Sequence, residues 1–177
     1  QGLGSNPIVQ TPAFPNRAEI LREVAAGTRV CGFALTEPEA GTDVASMRCT
    51  ARLEGDHWVL DGEKVFISNV GIAHQFVVFA NADPSAGKKG ISAFVVPKDA
   101  PGLTLEKVPM SLDHPLGRLL MKGCRVPKAA LLGEVGHGMR LALGTLDVFR
   151  TSVGAAACGM ARRALDETIA RVKSRVQ

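Results

Sequence analysis

The sequence predicts an α+β protein: an antiparallel β-barrel or sandwich in the middle, flanked by helices that belong to incomplete all-α domains. Three observations predict it. Between residues 29 and 130, short segments rich in β-branched and aromatic residues follow one another, with turn signals and no helical stretch between them. Apolar residues recur at helical spacing on both sides of that region. Neither flanking helical region holds enough helices to bury its own apolar stripe, so each reads as part of a domain completed elsewhere. The expected division is 1–28, the end of an N-terminal helical domain; 29–130, the β-domain; and 131–177, the first long helix of a C-terminal helical domain.

The elements follow in order. Asn16 with Glu19 three residues on makes a capping box behind Pro15. Ile20, Leu21 and Val24 then form one apolar stripe, and Gly27 stops the helix. Strands are expected at Val30–Thr36, Met47–Leu53, Trp58–Leu60, Val65–Ser68, Phe76–Ala80, Ile91–Val96, Leu103–Val108 and Leu119–Val126. Glu54-Gly55-Asp56, Asp83-Pro84 and Ala100-Pro101-Gly102 mark turns, and Asp61-Gly62 between two apolar triplets is a hairpin signal. From about Gly136 a helix is expected to run to the end of the chain. Met139, Leu143, Leu146 and Arg150 lie on one face, and Ala155–Ala157, Met160, Ala164, Leu165, Ile169 and Val172 continue the apolar pattern.

Composition narrows the function. Of 177 residues, 46% are hydrophobic and 21% charged, which is globular and not disordered. No apolar run is long enough to span a membrane. A net charge of +4, with the basic C-terminal stretch free of aromatic residues, does not point to nucleic acid. Cys31, Cys49, Cys124 and Cys158 are scattered, as are the four histidines, so no zinc-type spacing occurs and no metal site is expected. Reduced, buried thiols suit a cytosolic or matrix-like compartment.

No GxSxG, HExxH, P-loop or GxGxxG motif is present. Two segments remain distinctive. In Phe33-Ala-Leu-Thr-Glu-Pro-Glu-Ala-Gly-Thr-Asp43 a strand ends at Thr36, and Pro38 and Gly41 force a loop. Such a loop can aim backbone N–H groups and the Thr36 and Thr42 hydroxyls at an anion or a ring carbonyl, or it can be an ordinary strand-to-loop connection. In Gly62-Glu-Lys-Val-Phe-Ile-Ser-Asn-Val-Gly71, period-two alternation puts Phe66 and Ser68 on one face and Ile67 on the other. An aromatic ring beside a hydroxyl could cover and hydrogen-bond a planar heterocycle, or the segment could be a half-buried strand with a surface serine.

In this order and spacing the two segments resemble the acyl-CoA dehydrogenase family of flavoproteins. The resemblance runs on through Gly90-Ile-Ser-Ala-Phe-Val-Val96, Cys124-Arg-Val-Pro127, Leu131-Leu-Gly133 and Ala161-Arg-Arg-Ala-Leu-Asp166, and so covers nearly the whole chain. It implies FAD as cofactor. Thr36 and the Leu35 backbone would face the flavin ring, and Phe33 would line its side of the strand. Gly41 and Thr42 would approach the pyrophosphate, with Thr42 also near the substrate. Ser68 would bond flavin N5, Phe66 would shield one ring face, and Ile67 lies between them. Arg175 matches an arginine that reaches the FAD of a neighbouring subunit, and Arg150 lies near the substrate or forms a structural ion pair.

The reaction implied is α,β-dehydrogenation of an acyl-CoA thioester in fatty acid metabolism, with hydride passed to flavin N5. Electron-transfer flavoprotein is the implied acceptor, a homodimer or homotetramer the implied assembly, and the bacterial cytoplasm or mitochondrial matrix the implied location. An acyl-CoA oxidase, a flavin monooxygenase relative, or a non-catalytic β-domain that binds a partner are the alternatives. The family's base is a carboxylate, carried by most members near the far end of the C-terminal domain and by some immediately before the arginine matched by Arg150. Here that position is Phe149, and Asp147 lies about 200° round the helix from it. No catalytic residue is therefore assigned in this chain, which reads as part of a longer polypeptide. The segment His114-Pro-Leu-Gly-Arg118 replaces a more polar stretch common in the family.

Overall fold

The computed structural model describes residues 2–112 and 114–176. Two short helices come first, α1 (Gly2–Val9) and α2 (Arg17–Ala26). Seven strands follow: β1 (Cys31–Ala34), β2 (Thr50–Glu54), β3 (His57–Ser68), β4 (Gln75–Asn81), β5 (Ile91–Pro97), β6 (Leu103–Lys107) and β7 (Leu116–Pro127). The long helix α3 (Gly138–Ser174) closes the series.

The strands form one mixed sheet in the order β1-β4-β2-β3-β7-β6, with β5 on β4. The expected antiparallel barrel or sandwich is thus corrected in part. β1 runs parallel to β4 over Cys31↔Gln75 to Ala34↔Val78, and β2 meets the end of β4 in parallel at Thr50↔Asn81. Since β5 pairs with β4 along its whole length, β1 and β2 share the other edge of β4. This central strand is buried on both faces, which is why its sequence is a continuous apolar run and does not alternate. Phe76, Val78 and Ala80 enter one core with Trp58, Leu60, Phe94 and Leu119. Val77 and Phe79 enter a second core with Ile8, Leu35, Ala93 and Leu141, where the helices cover the sheet.

The sequence places one helix before the sheet, but there are two. Gly4 permits α1 to lie on β1, since a Cβ there would stand 2.5 Å from the Cys31 carbonyl oxygen. The capping box also fails: Asn16 sits in the left-handed region at φ 56° and its side chain caps nothing, whereas Gly27 ends α2 at φ 77° as expected. On α3 the buried stripe is Gly138, Leu141, Ala142 and Thr145. Thr145 accepts from Gln10 Nε2 at 2.9 Å and donates to Asn6 Oδ1 at 3.1 Å, tying α3 to α1. The apolar residues expected to continue the stripe, among them Met160, Leu165, Ile169 and Val172, are exposed. The helix stops at Ser174, and Arg175 is extended.

Asp61-Gly62 is not a hairpin. β3 runs through it without a break, and the hairpin to β2 turns instead at Gly55, φ 59°. Gly62 is required for another reason: at φ 133°, its missing Cβ makes room for the Cys49 sulfur, which would lie 2.4 Å away. Asp61 accepts from the Gly123 amide at 2.6 Å and also receives Arg52 Nη1. A local turn signal was overridden by a long-range approach.

Cys31, Cys49 and Cys124 are buried, and Cys158 is exposed. Burial pushes the Cys49 thiol up to about 12 and the Cys124 thiol up to about 11, and raises that of Cys31. A thiol reagent should therefore label the native protein at Cys158 alone and all four cysteines in denaturant, as mass spectrometry would count. Gly62→Ala should cost about 2 kcal/mol or more, through overpacking against Cys49 and a strained backbone. Gly55→Ala, with open space around it, should cost about 1 kcal/mol. Urea midpoints compare the two.

Candidate functional site

The first of the two distinctive segments is held by a buried ion pair. After β1 the chain turns tightly at residues 37–40, where Glu37 and Ala40 exchange backbone hydrogen bonds of 3.0 and 3.3 Å. The Glu37 side chain points inward. Its carboxylate accepts from Lys64 Nζ at 2.7 Å, the Arg48 amide at 2.6 Å and the Cys49 amide at 3.1 Å. The Lys64 side chain is 0% exposed, and its ammonium also donates to the Leu35 carbonyl at 3.0 Å. Burial works against ionising Glu37, but the Lys64 charge and these hydrogen bonds outweigh it and hold its pKa below the usual carboxylate value. The Val65 amide donates to the Thr36 carbonyl at 2.9 Å, extending the link between loop and strand.

The second segment is shaped by an irregular pairing of β3 with β7. Between Lys64↔Leu119 and Ile67↔Gly117 there are three steps on β3 and two on β7, so β3 carries a bulge. Phe66 lies in it at φ 57°, a left-handed conformation that aromatic residues rarely adopt. The bulge turns the Phe66 ring outward, leaving it 68% exposed, while Ile67 is buried and Ser68 faces solvent. Asn69, at φ 72°, then donates from Nδ2 to the Cys31 carbonyl at 3.1 Å and closes the end of β3 onto β1.

Both segments border one cleft of about 720 Å³, within the range of cofactor sites. Phe33 comes from β1, Leu35 and Thr36 from the two residues that follow it, and Gly41 and Thr42 from the loop beyond. Phe66, Ile67 and Ser68 line it from β3, and Arg150 from α3. Phe33 packs edge-on against Phe79, with ring centroids 5.0 Å apart. Ile67 is 2% exposed and belongs to the core, so its backbone is what it offers the cleft. Nothing stands within 4 Å of a Cβ built on Gly41, so that backbone is open to close approach by a ligand.

Arg175 does not line the cleft; it caps the distant end of α3, where its amide donates to Arg171. Arg150 forms an exposed pair with Asp147 at 2.8 Å, which contributes little to stability.

Several features escaped the sequence reading. The Glu37–Lys64 pair is one; Lys64 follows Asp61, Gly62 and Glu63 in β3, so nothing local marked it as a buried charge. His114 is another: its Nε2 lies 3.2 Å from Ser68 Oγ, across 46 residues of sequence. The apolar end of the cleft is built partly by α1, where the Phe149 ring fills the space a Cβ on Gly2 would need, 2.4 Å from Cζ.

Residues 32–124 match the family profile described as acyl-CoA dehydrogenase, middle domain, and residues 136–177 match the profile described as acyl-CoA dehydrogenase, C-terminal domain. A probable acyl-CoA dehydrogenase, FadE25 of Mycobacterium tuberculosis, is 40% identical over 178 residues, spanning 99% of this chain and 46% of that protein. The structure of butyryl-CoA dehydrogenase from Megasphaera elsdenii superposes with a TM-score of 0.91 at 36% identity, covering 99% of this chain and 47% of its own. An acyl-CoA dehydrogenase from Bacillus anthracis, solved in complex with FAD, gives a TM-score of 0.89 at 34% identity over 99% of this chain and 31% of its own. The chain thus spans less than half the length of these relatives.

Lys64→Met should cost about 3–5 kcal/mol, because it leaves Glu37 buried and unpaired. Adding Glu37→Gln should recover part of that loss in a double-mutant cycle. The depressed Glu37 pKa gives the pH dependence its sign. The contribution is complete above the unfolded carboxylate value of about 4.3 and fades as pH falls through the lower folded value. Glu37→Gln should therefore flatten the acid limb of stability followed by urea unfolding.

Proposed function

The chain belongs to the acyl-CoA dehydrogenase family, and from that premise we propose that it carries the flavin-facing part of an FAD-dependent dehydrogenase that removes hydrogens from the α and β carbons of an acyl-CoA thioester. The observation that carries the reading is the meeting of Thr36 and Ser68 at a single cleft beside an outward-turned aromatic ring. The division at residues 28/29 and 130/131 is part of the proposal, as are electron-transfer flavoprotein as acceptor and assembly with further copies of the chain.

The lining suits a flat, polar-edged heterocycle with a phosphate tail. Two hydroxyls in the lining, Thr36 beyond β1 and Ser68 at the end of β3, can each donate to a ring heteroatom. Phe66 can cover a ring face, Phe33 and Leu35 supply apolar wall, and the open backbone at Gly41 with the Thr42 hydroxyl can take the phosphates. Bound FAD supplies the hydride acceptor. The residues of this chain orient that ring, exclude water from its edge and so strengthen the hydrogen bonds made there. Arg150 is assigned to the substrate end. In the family the base is a carboxylate; none of the described cleft residues is one, and the proposal gives that role to no residue of this chain.

The test is flavin uptake by the full chain. FAD should bind with quenched flavin fluorescence; bleaching of the flavin by anaerobic acyl-CoA is expected where a carboxylate outside this chain supplies the base. Ser68→Ala and Thr36→Val should each weaken FAD by about tenfold, the equivalent of one lost hydrogen bond. A full chain that takes up no FAD would overturn the reading. Oxygen consumption with peroxide release would move it to the oxidase branch.

A further inference from the structure

We propose that His114 is a positioning residue for Ser68: its ring sets which way the serine hydroxyl proton points, and so ties the cleft's hold on the FAD ring to the charge of the imidazole. The proposal rests on the reading of the cleft as an FAD site. It adds a residue from the segment 114–118, which replaces a more polar stretch common in the family.

β3 and β7 pair Ile67↔Gly117 and Ser68↔Leu116. His114 stands two residues before Leu116, at the diagonal position from Ser68 and within reach of a long side chain. Hydrogen bonds fix the backbone there. The Leu116 amide donates to the His114 carbonyl at 2.8 Å, and the His114 amide donates to the Leu112 carbonyl at 2.8 Å. The Val108 amide donates to the Leu116 carbonyl at 2.9 Å, and Pro115 biases the residue before it toward extended backbone. His114 Nε2 thereby comes to 3.2 Å from Ser68 Oγ. Among the described residues each side chain is the other's only side-chain hydrogen-bond partner. The ring stands between two spaces, since it lines the main cleft and also a second hollow of about 490 Å³.

A serine hydroxyl has one proton to give, and an imidazole nitrogen can take it or supply one. An uncharged ring with a bare Nε2 accepts that proton, and Ser68 then presents only lone pairs to the cleft. An imidazolium carries protons on both nitrogens, so Nε2 must donate to Oγ, and the serine proton is free for the ligand. The ring nitrogen assigned to Ser68 holds a lone pair in oxidised FAD and needs a donor. A charged His114 therefore favours that bond, and an uncharged one competes for it. The groups facing His114 are Ser68 and Asn69 from β3, Lys107 from the end of β6, the buried Cys31 thiol from β1, and Arg150 from α3, whose partner is Asp147. Asp113, its chain neighbour, lies outside the described residues. No described residue lining either space is a carboxylate, so among the described residues no acid offsets a charge gained by the ring.

The test is FAD titration of the full chain, followed by flavin fluorescence, from about pH 8 to about pH 5, across which an imidazole gains its charge. The wild type should bind FAD about fivefold more tightly at the acid end, the equivalent of one redirected hydrogen bond. His114→Gln, whose amide donates without titrating, and His114→Leu should both lose this slope, with circular dichroism checking the fold. Ser68→Ala should lose it as well, and adding His114→Gln to Ser68→Ala should change nothing further. A purely structural role for the ring would move the affinity alike at every pH and leave the slope in place.

A slope that survives in either His114 variant would overturn the proposal. So would a slope that persists in Ser68→Ala, because the imidazole would then act on FAD directly. If FAD binds but the wild type shows no slope, this inference fails and the reading of the cleft stands. A full chain that takes up no FAD overturns both. Nuclear magnetic resonance of the FAD-free chain supplies a readout without the ligand: Ser68→Ala should shift the ring nitrogen signals of His114, and unchanged signals would overturn the contact itself.

Discussion

A lysine with no solvent exposure, closed against a buried glutamate, is the constraint on which the site depends. Taking both charges out of water is costly, and the pair persists because its bonding capacity is filled. Glu37 accepts from one ammonium and two backbone amides, and Lys64 finds a second acceptor in the Leu35 carbonyl. Charge-assisted bonds of this kind are the stronger class, and the low dielectric around them raises the penalty for losing any member. The cluster joins three stretches far apart in sequence: the end of β1, the approach to β2 and the middle of β3. Thr36 is one residue from Glu37, and Phe66 and Ser68 are two and four residues from Lys64. One interaction therefore fixes the two walls of the cleft against each other.

What that anchor holds in place is a strained strand. Phe66 in the left-handed region costs on the order of 1–3 kcal/mol, which the surrounding pairing must offset. On either side of the bulge β3 is over-determined: Lys64 is locked below, Ile67 is packed in the core, and Asn69 is tied to Cys31. A regular strand would turn Phe66 to the face set by simple alternation and keep it close to the sheet. The bulge instead lifts an aromatic ring into open space beside a hydroxyl. The strain therefore sets an exposed aromatic ring at the rim of the cleft.

The sequence carried the strands and the motif residues well, because both are local. β-branched runs and Gly/Pro/Asp turns reported where strands begin and end, and Phe33, Leu35, Thr36, Gly41 and Thr42 do meet Phe66, Ile67 and Ser68 at one cleft. What it did not carry was pairing. The parallel contacts of β4 with β1 and β2 join segments separated by loops, and nothing in a strand's own composition specifies a distant partner's direction. Asp61-Gly62 was misread for the same reason: a glycine needed to admit Cys49 has the local signature of a turn. Lys64 with Glu37, and His114 with Ser68, are likewise contacts across 27 and 46 residues, visible only once the chain is folded. Arg175 is a different case, since the role the resemblance gives it lies at the FAD of a neighbouring subunit and not at the cleft of its own chain.

The distribution of charge around the cleft then follows one rule. Among the described residues, the ionised groups at its walls are either satisfied internally or placed at its outer margin. Lys64 and Glu37 cancel each other beneath the floor, and Arg150 is neutralised by Asp147 at the surface. The rest of the described lining is mainly aromatic and aliphatic, with the hydroxyls of Thr36, Thr42 and Ser68, the Asn69 amide and the His114 ring as its polar groups, an environment in which a neutral hydrogen bond is worth more than it is in water. The cations without partners, Lys88, Lys89 and Arg140, lie beyond Thr42, where water still screens them and their desolvation cost stays small.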